Sequence, residues 1–335
     1  MLACSCVLAS EPVRFEKRAL HMGVEWEVIV YQVDGKSDRD AMAAIDAAMA
    51  RIEQLDKILS DYSPTSELSK LSDSAPTSKP IPLSDDLYRV LAAADELSAQ
   101  SDGAFDVTLG SLTKLWRRAR RQQALPGAEQ LQEALACTGQ QHLKLDHAKK
   151  TAELTRARMR LDLGGIAKGF AAQEGLAVLQ QLGFPRAMVR GSGDFALGDP
   201  PPGEKGWRVG LAPIDPDAKP DFFVVAANCA ISTSGDSRQH LIVDGRRYSH
   251  LIDPRTGLGI ERQSSVTVIA PTGLLADGLA SAISILGPDR GAKLAQSQAD
   301  VAMRMIVREP SGKESIIETR IERWAEAVKQ KATSR

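Results

Sequence analysis

The chain has 335 residues, of which 43% are hydrophobic and 25% charged. That length and apolar content can bury a sizeable core without staples, which excludes disordered, collagenous and disulfide-scaffold classes. Lys and Arg number 42 against 43 Asp and Glu, a net charge of −1, and aromatic residues make up 4%, so neither charge nor stacking groups favour a nucleic-acid binder.

Met1 to Ser10 read MLACSCVLAS. Leu2-Ala3-Cys4 is spelled like the end of a bacterial lipoprotein box, and Val7-Leu8-Ala9-Ser10 like the end of a cleaved signal peptide, without a basic n-region or a full apolar h-region. Residues 1–20 are therefore expected to be a leader left from an export or lipoprotein signal. The expected location is the bacterial periplasm, with Cys4 as candidate lipid anchor to the inner membrane. Cys4, Cys6, Cys137 and Cys229 match no metal-ligand spacing, and the last two read as core-filling thiols.

Val24–Val33 alternates as a strand, with Val24, Trp26, Val28 and Val30 on its drier face. Ser37 caps a helix to Leu59, with Asp38 and Asp40 in its first turn. A second helix spans Asp85–Ala99. Trp116–Arg121 (WRRARR) reads as a solvated helix face, and Leu125–Gly139 as a small amphipathic excursion. Short strands follow at 142–146, 151–155 and 157–163, then a helix over Ile166–Leu182. Further strands are expected at 187–190, 207–211, 222–226, 240–243 and 265–269, helices at 276–286 and 289–299, and closing strands at 301–307 and 315–319. The main domain is expected over residues 21–319 and a helical tail over 320–335. Runs of helix and runs of strand together predict an α+β fold.

Five segments carry candidate chemistry. Asp162-Leu163-Gly164-Gly165-Ile166-Ala167-Lys168-Gly169 runs from a strand through two glycines into a helix. It suits an anion near a helix N-terminus beside Lys168, and equally a tight turn in which Asp162 caps the helix. Arg190-Gly191-Ser192-Gly193-Asp194 could form an anion nest, but alone reads better as a strand-connecting loop. Ile231-Ser232-Thr233-Ser234-Gly235-Asp236 offers hydroxyls to phosphate or ribose, or is a polar turn. In Tyr248 to Gly257, His250 could move a proton near neutral pH and Asp253 could hold the Pro254-Arg255-Thr256-Gly257 turn. Asp277 and Ser281 lie four apart on a helix, so a carboxylate and a hydroxyl share a face, as a hard cation would require.

Taken in order, and together with His21-Met22-Gly23, Leu59-Ser60-Asp61-Tyr62 and Gly103-Ala104-Phe105-Asp106, these segments resemble the ApbE family, the FAD:protein FMN transferases. The resemblance spans Met22 to Leu286. It implies a two-lobed α+β fold with mixed or antiparallel sheets, flanking helices and a flavin-nucleotide cleft. It also implies Mg²⁺-dependent transfer, with Mn²⁺ as an alternative metal, of FMN from FAD to a Thr or Ser hydroxyl, releasing AMP. The acceptor would be a flavoprotein of a membrane redox complex. By resemblance, Met22, Tyr62, Ala104, Phe105, Asp106, Asp162, Lys168 and Ile252 match flavin or adenine-nucleotide contacts. The backbone oxygen of Gly165 and the side chains of Asp277 and Ser281 match metal ligands, and His250 matches the general base. Two positions depart from the family pattern, which usually has Thr at Ser281 and at Val24. Competing expectations are an FAD pyrophosphatase, in which water replaces the acceptor, and a non-catalytic periplasmic FAD-binding protein.

Overall fold

The computed structural model describes residues 12–309 and 311–325. Its centre is an eight-stranded sheet in the order β1-β2-β6-β7-β10-β13-β14-β15, antiparallel at every junction. In chain order the strands are β1 (Arg14–His21), β2 (Val24–Tyr31), β3 (Ile81–Pro82), β4 (Leu143–Asp146), β5 (Thr151–Leu154), β6 (Ala187–Gly191), β7 (Asp194–Leu197) and β8 (Trp207–Gly210), followed by β9 (Phe223–Ala226), β10 (Cys229–Gly235), β11 (His240–Val243), β12 (Arg246–Ser249), β13 (Gln263–Ala270), β14 (Ala302–Arg308) and β15 (Glu314–Thr319). The helices are α1 (Asp38–Leu59), α2 (Glu67–Asp73), α3 (Asp85–Gln100), α4 (Gly110–Gln122), α5 (Ala128–Leu135), α6 (Ala167–Gln181) and α7 (Gly273–Ser297).

One face of the sheet carries α1, α6 and α7. Trp26, Val28 and Val30 of β2 pack there with Ile45, Ile52 and Leu55 of α1 and Phe170 of α6, and burying each such side chain stabilises by about 1.5–3 kcal/mol. The opposite face is also covered. Ile29 of β2 joins Trp207, Val209 and Val224 of the β8–β9 hairpin in a second core, so β2 is buried on both sides. A third cluster forms a smaller unit, in which Leu112, Trp116 and Ala119 of α4 pack on Leu241, Tyr248 and Ile252. Trp116 Nε1 donates to the Gly257 carbonyl at 2.7 Å and fixes the two pieces together.

Ser37 caps α1 in a reciprocal box with Asp40, as expected. Cys137 and Cys229 are free, buried thiols, while Cys4 and Cys6 lie outside the described residues. Of the residues expected to be leader, 1–20, the span Arg14–His21 reaches into the fold as a strand paired residue for residue with β2. Its charged sequence suits a sheet edge, and an edge strand need not alternate cleanly. The strand expected over 157–163 is irregular chain with a single bridge, Leu109 to Arg160. The hydroxyl-rich segment 231–236, read either as phosphate or ribose contacts or as a polar turn, falls up to Gly235 within strand β10. Its polar groups are satisfied laterally: Ser232 donates to Asp194, and Thr233 and Thr267 share a hydrogen bond of 2.8 Å. The two helices expected at 276–286 and 289–299 are present as the two halves of α7, parted by a kink at Gly287 (φ 80) before Pro288. The helical tail begins instead as a 3-10 turn, Ile321–Arg323, and Ala325 bridges Val224; residues 326–335 lie outside the described residues. Among the described residues no helix is long and apolar enough to cross a membrane.

Candidate active site

Helices α6 and α7 touch at glycine. A Cβ on Gly169 would lie 2.1 Å from the Gly273 carbonyl oxygen and 2.6 Å from Asp277 Cβ, so the approach requires residues without side chains. The Gly169 amide, one of the free donors of the first turn of α6, donates to Asp277 Oδ2 at 2.9 Å. One turn further along α7, Ser281 Oγ donates to the Gly165 carbonyl at 3.2 Å. The shared face read from the four-residue spacing is therefore turned onto the Gly164-Gly165 turn. Asp162 holds that turn by accepting from the Gly164 amide at 2.8 Å. It does not cap α6, whose N-cap is Ile166 with no side-chain bond.

Lys168 fills the space beside these groups. Its Nζ donates to the Gly164 carbonyl at 3.0 Å and lies 3.5 Å from Asp194 Oδ2 and 3.8 Å from Asp277 Oδ2. Asp194 is buried and accepts from the Ser232 hydroxyl. Burial and the charge of Asp277 push the Asp194 carboxyl up to about 7, against the pull of Lys168 and Ser232. Burial also opposes the charge on Lys168, but the two carboxylates outweigh it and raise its pKa. Two carboxylates thus share one ammonium.

The donors here are all oxygens: the Gly165 carbonyl, Asp277, Ser281 and the neighbouring Asp194. Among the described residues no group of three or more His, Cys, Asp or Glu side chains is arranged to hold a metal ion. The set fits Mg²⁺, which binds through one or two carboxylates and completes its shell with water or phosphate oxygens.

A second set of charges adjoins the turn. Arg117 of α4 donates through Nη2 to Asp162 at 2.9 Å and through Nη1 to Asp61. The exposed ring of Tyr62 stacks on the same guanidinium, 4.1 Å from its centroid. Burial and the charge of Asp162 raise the Asp61 pKa, against Arg117. Phe105 reaches Gly165: a Cβ there would lie 3.4 Å from Phe105 Cε2. Ala104 is buried beside it, and Asp106 accepts from the Thr108 amide at 2.7 Å. Burial raises the Asp106 pKa, against the bonds from Thr108. Met22, at φ 51, is held from α1 by Asp56, which accepts from its amide at 3.0 Å. Ile252 packs its side chain on the α4 cluster and bridges Gly259 through its backbone.

His250 follows β12. Its Nδ1 lies 3.2 Å from the Gln239 carbonyl. A carbonyl only accepts, so Nδ1 carries the proton and Nε2 keeps its lone pair. Burial and the Arg120 cation push the imidazole down to about 4, against the Gln239 carbonyl and Asp236, while Lys168 adds to the lowering. At pH 7 the ring is therefore neutral. Asp253 holds the following turn as expected, accepting from the Arg255 amide at 3.0 Å.

The contacts bring Gly165, Lys168, Asp277 and Ser281 directly together and join Asp162 and Phe105 to them. Tyr62 is linked to that cluster through Arg117 and Asp162, whereas the contacts of Met22, Asp106 and Ile252 run to Asp56, Thr108 and α4 instead. Sequence reading gave no role to Asp61, Arg117, Arg120 or Asp194. The arginines had one legible signal: Arg117 and Arg120 border the Leu112, Trp116 and Ala119 stripe, so they cannot both point to open solvent.

Together these features define an α+β protein whose helix-backed antiparallel sheet carries an oxygen-rich cluster where the start of α6 meets α7. A sequence profile of the ApbE family matches residues 22–305, and the chain belongs to that family. Over 298 residues it is 31% identical to the FAD:protein FMN transferase of Haemophilus influenzae, covering 87% of this chain and 86% of that protein. Over 296 residues it is 32% identical to the protein of the same name from Escherichia coli K12, covering 86% and 82%. Among solved structures, the flavinyl transferase ApbE of Pseudomonas stutzeri, in its apo form, superposes with a TM-score of 0.82 at 31% identity, covering 95% of this chain and 98% of that one. The flavin transferase ApbE from Vibrio cholerae gives 0.82 at 29% identity, covering 92% and 98%. The fold implied by the sequence resemblance is thereby borne out.

Proposed function

We propose that this chain transfers FMN from FAD to a Thr or Ser hydroxyl of an acceptor protein and releases AMP. The relatives' shared name, at this identity and coverage, supports the reaction class. The observation that carries the reading in this molecule is the convergence of Gly165, Lys168, Asp194, Asp277 and Ser281 on one partly buried, oxygen-lined spot. Gly165, Asp277 and Ser281, with Asp194 behind them, would hold Mg²⁺, which when bound supplies Lewis-acid neutralisation of phosphate charge.

In the reaction the acceptor oxygen bonds to the flavin-side phosphorus of FAD. The bond from that phosphorus to the bridging oxygen breaks, and the bridging oxygen leaves with AMP. A hydroxyl is a poor nucleophile, and its proton must be taken as it attacks. His250 Nε2, unprotonated and with its partner nitrogen tied to Gln239, suits that role. Lys168 holds Asp194 and Asp277 in place and limits their repulsion. Phe105 closes the Gly165 side.

The test uses purified protein, FAD and MgCl₂, with and without a purified flavin-free acceptor domain. Transfer predicts flavin fluorescence that stays with the acceptor on a denaturing gel, and its loss when the acceptor's Thr or Ser becomes Ala. AMP and FMN released equally without acceptor would instead mean hydrolysis. We also propose export, with lipid attached at Cys4. Incorporation of labelled fatty acid that disappears in Cys4→Ser would support it, and absence of label in the unaltered protein would contradict it.

A further inference from the structure

Among the described residues, Lys168, Arg117 and Arg120 are cations near the candidate site, and the first two are already spent. Lys168 has three N–H donors, facing the Gly164 carbonyl, Asp194 and Asp277. Arg117 is divided between Asp61 and Asp162. Arg120, one turn along α4, is different. Its Nη1 is buried and has no hydrogen-bond partner. Its side chain pairs with no carboxylate among the described residues, and its electrostatic neighbours are the Tyr62 phenol, the His250 imidazole and two further arginines, Arg117 and Arg121. Its position is fixed from below, because Trp116 and Ala119 pack on Tyr248 and Ile252, either side of His250. A guanidinium half withdrawn from water without an anion is costly, and such a group in a native structure calls for a reason.

We propose that Arg120 is a substrate-binding residue that takes a phosphate oxygen of the bound dinucleotide on the side of the site where His250 and Tyr62 stand. The inference rests on the reading of the site as an FAD site. In FAD the formal negative charges lie on the diphosphate, the flavin and adenine being neutral near pH 7, so a free guanidinium there has one kind of partner to find. Its planar fork matches phosphate oxygens, and the pair is charge-assisted. Before substrate arrives, the same cation helps to keep the His250 imidazole unprotonated.

The experiment measures binding of FAD, ADP and riboflavin to the full chain and to Arg120→Gln, Arg120→Lys and Tyr62→Ala, by flavin fluorescence or calorimetry. Arg120→Gln is expected to weaken FAD and ADP by about 10- to 100-fold, the range for a hydrogen bond to a charged group. Riboflavin, which has no phosphate, should bind as before, and Arg120→Lys should fall between. The melting temperature of ligand-free Arg120→Gln should equal or exceed that of the unaltered protein, since an unpaired, half-buried charge has gone. Equal losses for FAD and riboflavin, with a lower melting temperature, would mean that Arg120 only supports α4 and would overturn the proposal. Unchanged FAD affinity in Arg120→Gln with weakened affinity in Tyr62→Ala would overturn it while leaving the FAD site standing. Unchanged affinity in both variants would overturn the FAD-site reading as well.

Discussion

Around Lys168, two buried carboxylates share a single ammonium; around His250, a guanidinium meets an imidazole and a phenol and pairs with no carboxylate among the described residues. The first region carries surplus negative charge and the second surplus positive charge, and both are partly closed to water. Each imbalance is costly unless a counter-charge arrives. A hard cation would correct the first and a phosphate the second, so a metal–diphosphate substrate suits the pair better than either region alone.

The largest effect should come from the acidic side. Asp277→Ala removes a carboxylate that accepts from Gly169 and faces Lys168, and is expected to abolish detectable Mg²⁺-dependent transfer while the protein still folds. Transfer assays with circular dichroism on the same sample check this, and full activity in Mg²⁺ would break the comparison.

Next comes His250→Ala, expected to lower transfer by about 10²–10⁴-fold with little change in FAD affinity or melting temperature. With its pKa lowered to about 4, the free-enzyme imidazole is unprotonated above that value. The acid limb of kcat/KM should therefore fall near pH 4, not near the ordinary histidine value. The groups that set it are Arg120 from α4, Lys168 from α6, and Asp236 with the Gln239 carbonyl ahead of β11. Arg120→Gln should move the limb upward. A limb that stays in place would sever the link between the two residues.

Arg117→Ala should cost about 3–5 kcal/mol, the range for breaking a buried pair, because Asp61 and Asp162 would face each other unpaired. The Asp61 pKa is already raised by burial and by Asp162 and should rise further. A carboxyl whose folded pKa exceeds its unfolded one is less costly once protonated, so this variant should gain stability relative to the unaltered protein as pH falls below 7. Urea melts across pH measure it; a pH-independent difference would contradict the account. The smallest effect is expected for Ser281→Thr, under about tenfold in transfer or under ~1.4 kcal/mol, since the oxygen is kept and the methyl restricts χ1. A larger loss would show that the space between Ser281 and Gly165 has no room for the methyl.

Much of the acidic side was legible in the sequence, because its spacing is local. Gly164-Gly165 opens a helix with Lys168 in its first turn, and Asp277 and Ser281 are four apart on another. The charged pairing around them was not legible. Asp194 reads as a loop residue until β7 and β10 pair and bring Ser232 to it, and no local period reports a contact between distant strands. The basic run on α4 reads as solvated because its composition is extreme, yet Trp116 anchors it to Gly257 and turns two of its arginines inward. Strand β1 escaped because a charged edge lacks alternation, and β10 because its hydroxyls imitate a turn.

The most direct test of the central claim follows each phosphorus of FAD separately. FAD radiolabelled on the flavin-side phosphorus, incubated with the protein, MgCl₂ and the flavin-free acceptor domain, should leave its label on the acceptor. FAD labelled on the adenosine-side phosphorus should release it as AMP in equal amount. Flavin-side label recovered as free FMN, at the same rate with and without the acceptor, would contradict transfer and make the protein a hydrolase.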